Sequence, residues 1–282
     1  MTDRHADQRG FLPDEAAAHY ASGYEAERLM GGGSRIELAR TQEIIVRHAP
    51  PPPAVVYDIG GGPGVYARWL AGLGYTVHLV DALPLHVAQA RRAAEERPDA
   101  PLASAVVGDA RHLPFANASG DFALLLGPLY HLTERADRIA ALSEARRVPR
   151  PGGLVFAAAI SRFVSTLDGL RQGLYDDPDF LAIAARDVRD GQHRNPTNHP
   201  GYFTTAYLHH PDELRAEVEE AGLIHVATLA VEGPAWMTQW ALDAWDDPTS
   251  RERVLAALRM IEAEPSLLGA SAHLLAVART PS

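Results

Sequence analysis

Three carboxylates and one glycine turn are spaced so that they can share a ligand. Asp58 closes the apolar run VVYDI and is followed at once by Gly60, Gly61, Gly62 and Gly64. Asp81 lies at the end of a second run, YTVHLVD, and Asp109 follows a third, in VVGDA. Glycines in such a turn let the backbone approach a ligand closely and adopt positive φ. A carboxylate in the position of Asp81 can accept both hydroxyls of a ribose. One in the position of Asp109 can take the exocyclic amine of adenine, with the Ala110 N–H offered to the ring. The bland readings are that Asp81 caps the helix after it and that Asp109 caps a turn.

Two adenosine cofactors compete for this pattern. Gly62-Pro63-Gly64-Val65-Tyr66-Ala67 satisfies G-x-G-x-x-A, a dinucleotide fingerprint. Against it, Asp58 would place a negative charge beside a pyrophosphate, and Pro63 removes an N–H from the turn that should cradle it. S-adenosylmethionine carries an ammonium group instead, which Asp58 can pair with directly or through water while the glycine backbone packs along the methionine portion.

The elements that must position these residues follow from the alternation of apolar runs with helical spacing. Strands are predicted at 54–59, 75–80, 102–107, 121–126 and 153–160, with helices at 64–72, 85–96 and 133–147 between them. After residue 210 come a helix at 211–221, a strand at 223–231, a helix at 249–263 and a strand at 272–279. That order implies an α/β fold, a doubly wound, Rossmann-like, mostly parallel seven-stranded sheet, because right-handed crossovers place helices on both faces. Ligands of such sheets sit beyond the carboxyl ends of the strands. Helices at 14–30 and 34–48, the second with Ser34 as N-cap, form an N-terminal helical cover over residues 1–53. Residues 54–160 form the cofactor core, 161–210 a helical and loop lid inserted after the fifth strand, and 211–282 the rest of the sheet domain.

The bulk numbers exclude several functions. A formal charge of -10 without long basic runs argues against a nucleic-acid partner. The sequence contains neither cysteine nor lysine, so thiolate nucleophiles, disulfides, Schiff bases and a P-loop lysine are all ruled out. No apolar stretch is long enough to span a bilayer and no signal peptide is evident, so a cytoplasmic protein, a monomer or homodimer without membrane partners, is expected.

The residues Asp58-x-Gly60-x-Gly62-x-Gly64, Asp81, Gly108-Asp109-Ala110, the run FALLLGPLYHL and the turn Arg150-Pro151-Gly152-Gly153 resemble the class I S-adenosylmethionine-dependent methyltransferases over about residues 54–160. The N-terminal YASGYEAERL and RIELARTQEII resemble a bacterial small-molecule subgroup of them. The resemblance implies S-adenosylmethionine as cofactor, S-adenosylhomocysteine as product, and Ala82 and Gly127 beside the acids in the cofactor site. DNA amino-methylating members carry Asp, Asn or Ser before Pro-Pro-aromatic after the fourth strand. Here that place reads Gly127-Pro128-Leu129-Tyr130-His131, which favours transfer to N or O of a small, aromatic or heteroaromatic metabolite.

His131, at the mouth of the crevice and titrating near neutrality, is the leading base; its alternative role is to cap the helix that starts at Thr133 or to pack under it. Tyr20, Tyr24 and Arg28 lie one helical turn apart and either close over the site, Tyr20 as a cofactor and catalytic residue, Tyr24 on the substrate and Arg28 on the cofactor carboxylate, or form a packing stripe. Tyr130, His193, Tyr202, Phe203, Tyr207 and Trp236 supply rings for a flat substrate. No spacing among the histidines matches a known metal-ligand set, so no metal is expected. The competing functions are an NAD-dependent oxidoreductase on the same sheet and a non-catalytic cofactor-binding regulatory protein.

Overall fold

The computed structural model describes Glu15, Arg28, Leu29 and residues 31–282. Tyr20, Tyr24 and nearly all of the helix expected at 14–30 lie outside the described residues. The described chain opens with α1 (Ser34–His48), whose N-cap is Gly33 and not Ser34. The core then alternates as β1 (Val55–Ile59), α2 (Val65–Gly72), β2 (Thr76–Asp81), α3 (Pro84–Glu95), β3 (Ser104–Val107) and β4 (Gly120–Leu125). A single turn, α4 (Pro128–His131), precedes α5 (Arg135–Arg147) and β5 (Pro149–Ile160).

The sheet has seven strands in the order β3-β2-β1-β4-β5-β9-β8, where β8 is Ile224–Ala230 and β9 is His273–Arg279. Neighbours from β3 to β5 pair in parallel, while β9 runs antiparallel to both β5 and β8. Its buried strand residues include Val56, Ile59, Phe122, Leu124, Leu125 and Phe156, each fully out of solvent. Helices on both faces make that burial possible, and each such side chain contributes roughly 1.5–3 kcal/mol. The strand β5 begins earlier than expected: Pro149 already pairs with Gly120, and residues 150–153 fall in a register shift before Leu154 pairs with Phe122.

Residues between β5 and the next helix fold as α6 (Val164–Gln172), α7 (Pro178–Asp190) and a two-strand ladder, β6 (Gln192–His193) with β7 (Ala206–Tyr207). The Asp177 carboxylate caps α7 by accepting from the Asp179 and Phe180 amides, and Gly191 ends it in the left-handed region. The helix α8 (Pro211–Glu220) follows with a His210–Glu213 capping box, and α9 (Gln239–Asp243) and α10 (Pro248–Ile261) lie between β8 and β9. A buried ion pair, Arg138 Nη2 to Glu217 Oε1 at 2.7 Å, ties α5 to α8. The Arg138 guanidinium also lies 3.6 Å from the centre of the Tyr207 ring, which joins the inserted ladder to the same pair. No helix of the described residues is long and apolar enough to cross a membrane.

Candidate active site

The strand ends and the glycine turn enclose a cavity. The turn begins where β1 stops: the Gly60 and Gly61 amides donate to Val80 O at 2.7 and 3.3 Å, and the Gly62 amide donates to Asp81 Oδ2 at 2.8 Å. Gly60 has φ +71°, and a Cβ there would fall 2.6 Å from the Pro128 ring. Only glycine lets the first turn meet the start of α4 so closely. A Cβ on Gly61 would lie 2.7 Å from Asp58 Oδ2, so the missing side chain is what makes room for that carboxylate.

Asp58 is 1% exposed, and neither carboxylate oxygen finds a partner of ordinary hydrogen-bond geometry. Burial pushes its carboxyl up to about 7, the Asp81 charge adds to this, and the Ala67 amide pulls only weakly the other way. An uncompensated buried acid is costly. It is the kind of group that a bound cation relieves, and the cavity wall runs through Asp58, Gly60, Gly61, Gly62 and Pro63. The residues therefore fit an ammonium-bearing ligand.

Asp81 lines the cavity with Ala82, and it does not cap α3, whose N-cap is Leu83: Oδ1 accepts from the Leu83 amide at 2.9 Å and faces His86 Nδ1 at 3.1 Å. Asp109 and Ala110 lie in the wall too. Arg111 grips Asp109 through its amide at 2.9 Å and through Nη2 at 2.7 Å. Burial alone would raise the Asp109 carboxyl, but Arg111 outweighs it and holds the group below its ordinary value. An adenine amine at Asp109 must therefore share lone pairs with Arg111. Gly127 packs on the turn, where a Cβ would sit 3.2 Å from Gly60 O. Gly64 is outside the wall: it meets Ala90 of α3, 3.2 Å from where its Cβ would be, and serves helix packing.

His131 and Tyr130 lie in the wall at the end of α4, with their rings edge to face at 4.7 Å. The Tyr130 hydroxyl donates to Leu126 O at 3.1 Å. His131 does not cap α5, whose N-cap is Glu134. Arg28 also reaches the cavity, and its guanidinium is engaged by Glu37, with Nη1 to Oε2 at 2.7 Å and Nη2 to Oε1 at 3.1 Å.

The remaining expected substrate residues among those described are not in the wall. His193 is buried, with Nδ1 2.8 Å from Asp187 Oδ2 and Nε2 2.7 Å from Tyr202 O. The Tyr202 hydroxyl donates to Asp177 at 2.5 Å, and Tyr207 lies beneath Arg138 with its hydroxyl on Glu213. Phe203 packs with Ile160 and Leu208, its ring 6.4 Å from that of His131. The Trp236 indole donates to Ala270 O at 3.0 Å. His193, Tyr202, Phe203 and Tyr207 tie the insertion together through these contacts, and Trp236 is tied to the segment before β9.

Sequence reasoning missed the other end of the cavity, lined by Glu37, Thr41, Tyr66, Val231, His273 and Leu275. His273 Nδ1 lies 2.5 Å from Glu232 Oε1 and 3.9 Å from Glu37 Oε2. Since β9 is antiparallel, its first residue pairs with Ile160, the last of β5, and so arrives at the ligand edge. Glu37, Glu232 and His273 are close enough to reach one ion. Arg28 and the imidazole already answer the two carboxylates, and the arrangement is an ion-pair network.

Comparison with known proteins matches the same residues. The family model described as a methyltransferase domain covers residues 57–157. The chain is 30% identical to the ubiquinone/menaquinone biosynthesis C-methyltransferase of Acidiphilium cryptum over 66% of its own length and 72% of that protein's. It is 38% identical to the malonyl-[acyl-carrier protein] O-methyltransferase of Methylococcus capsulatus, over only 38% of either chain. A solved SAM-dependent methyltransferase from Methanosarcina mazei superposes with a TM-score of 0.57 at 17% identity, over 84% of this chain and 97% of that one, a likeness of fold.

Proposed function

The chain belongs to the S-adenosylmethionine-dependent methyltransferases, and from that premise we propose that it moves the methyl group to nitrogen or oxygen of a small, aromatic metabolite. When bound, the cofactor supplies a methyl group on a positively charged sulfur, open to in-line attack. In this reading Asp58 answers its ammonium, directly or through one water, Gly60 and Gly62 lie along its methionine portion, Asp81 takes the ribose hydroxyls, and Asp109 with Ala110 takes the adenine edge. Ala82 and Gly127 shape the walls between, and Arg28, held by Glu37, closes the site from the N-terminal side.

The observation that carries the reading is the orphaned Asp58 carboxylate under the glycine turn, sharing a cavity with the rings of Tyr130 and His131. Those rings and the apolar Leu29, Leu126 and Leu275 suit a flat acceptor. Alignment of acceptor and donor accounts for much of the rate in such a displacement, up to roughly 7–11 kcal/mol. Where the acceptor carries a proton, the imidazoles of His131 and His273 both line the cavity that holds it. Carbon methylation is the second reading, favoured by the Acidiphilium relative, which is named as a C-methyltransferase.

The test is a panel of phenols, nitrogen heterocycles and acyl carboxylates, with S-adenosylhomocysteine as the readout and mass spectrometry and NMR to place the methyl group. Transfer to N or O of an aromatic acceptor supports the first reading. Transfer to ring carbon supports the second, and turnover confined to acyl carboxylates contradicts both.

A further inference from the structure

The cavity wall holds an imidazole–carboxylate pair, His273 with Glu232, whose coupling none of the roles above uses. Glu232 is buried and rigidly oriented: its Oε2 accepts from the Ser271 hydroxyl at 3.0 Å and from the His273 amide at 2.9 Å, leaving Oε1 for His273 Nδ1. The Ser271 hydroxyl in turn accepts from the Glu232 and Gly233 amides, both at 3.0 Å. With Nδ1 fixed on a carboxylate, the imidazole presents Nε2 as its other nitrogen, and the His273 side chain keeps 21% of its surface exposed in the cavity wall. A carboxylate on one ring nitrogen fixes the tautomer and stabilises the imidazolium that forms when the other takes a proton.

We propose that His273, oriented by Glu232, is the catalytic base that takes the proton of a phenolic or enolic hydroxyl acceptor at its Nε2; this rests on the methyl-transfer reading above. The acceptor O–H bond breaks, its electron pair stays on oxygen and its proton passes to Nε2. That oxygen forms the bond to the methyl carbon as the carbon–sulfur bond breaks with its pair left on sulfur. The proton then leaves His273 for solvent, and Glu232 remains ionised throughout.

Every charged group facing His273 bears on this. Burial pulls the imidazole down, but Glu37 from α1 and Glu232 from the segment just after β8 outweigh it, Arg28 opposes them, and the group is pushed up to about 9. That value lies near an ordinary phenol, about 10, so proton transfer between the two is nearly balanced. A cationic donor in the same cavity favours the neutral imidazole, so the base becomes competent as the site is loaded.

The test uses the full chain in three forms, wild type, Glu232→Gln and His273→Asn, with phenols of graded acidity. Histidine NMR titration of the unliganded protein should show the His273 pKa falling by a unit or more in Glu232→Gln, with the rising limb of kcat/KM against pH moving down in step. His273→Asn should keep S-adenosylmethionine affinity within about threefold by calorimetry and lose kcat by ~10²-fold or more on an ordinary phenol. The loss should shrink on a phenol already ionised at the assay pH. A wild type that turns over phenols with an unchanged limb in Glu232→Gln, or unchanged kcat in His273→Asn, overturns the inference alone. A wild type that binds the cofactor yet methylates no hydroxyl acceptor overturns the inference, and the aromatic reading falls with it only if no aromatic nitrogen is methylated either.

Discussion

Replacing Asp58 by Asn separates the energetic cost of the orphaned carboxylate from its use. The ordinary carboxyl value is 3.8 and the folded value about 7. Because the folded pKa is raised, the unfolded chain loses this proton first, and folding stability falls as pH rises from about 4 to 7. At about 1.36 kcal/mol per unit, the two units between pH 5 and pH 7 correspond to roughly 3 kcal/mol. Asn carries no such charge, so the stability difference between variant and wild type should move by about that amount in the variant's favour between pH 5 and pH 8. Any fixed cost of the buried amide cancels in that comparison. For a chain of this size the change corresponds to roughly 6–12 °C in relative Tm. Thermal unfolding at both pH values without ligand measures it, and calorimetry should show weaker S-adenosylhomocysteine binding by the variant despite its gain in relative stability toward pH 8. A relative Tm that stays level across this range refutes the reasoning, because Asp58 would then not be an uncompensated buried acid.

The Gly60→Ala variant should lose cofactor affinity by tenfold or more in a calorimetric titration, since its φ of +71° and the 2.6 Å approach to Pro128 leave no room for a methyl group. The Glu217→Gln variant should be destabilised by about 3 kcal/mol or more at pH 7 in denaturant unfolding, because Arg138 is left buried without its anion. Burial tends to raise the Glu217 carboxyl, but His209 and Arg138 outweigh it and bring it to about 2. Its contribution is therefore present above the ordinary 4.5 and lost as pH falls toward 2, so the gap between wild type and Glu217→Gln should narrow in that window.

The part of the cavity around the glycine turn was legible in sequence because its determinants are local. Parallel strands buried on both faces read as continuous apolar runs, and Asp58, Asp81 and Asp109 each stand within two residues of where such a run stops. The part of the cavity around His273 was not legible, because Glu37, Glu232 and His273 come from α1, the segment just after β8 and the start of β9, and meet only after the sheet has closed. The signal available was the direction of the last strand: antiparallel pairing with β5 turns the first residue of β9 toward the ligand edge. In the insertion the composition misled. His193, Tyr202 and Tyr207 resemble ligand-facing residues by type, yet each is hydrogen-bonded to an acid of the protein, Asp187, Asp177 and Glu213 in turn. Buried polar groups need partners wherever they are, and a sequence does not say whether the partner is protein or ligand.

The most direct measurement is a crystal structure with S-adenosylhomocysteine bound. The amino group should lie about 3 Å from an Asp58 oxygen or from a single water that bridges to it, with the ribose hydroxyls on Asp81. A homocysteine chain that leaves Asp58 without a contact, or a nucleoside seated away from the ends of β1 and β2, would contradict the assignment.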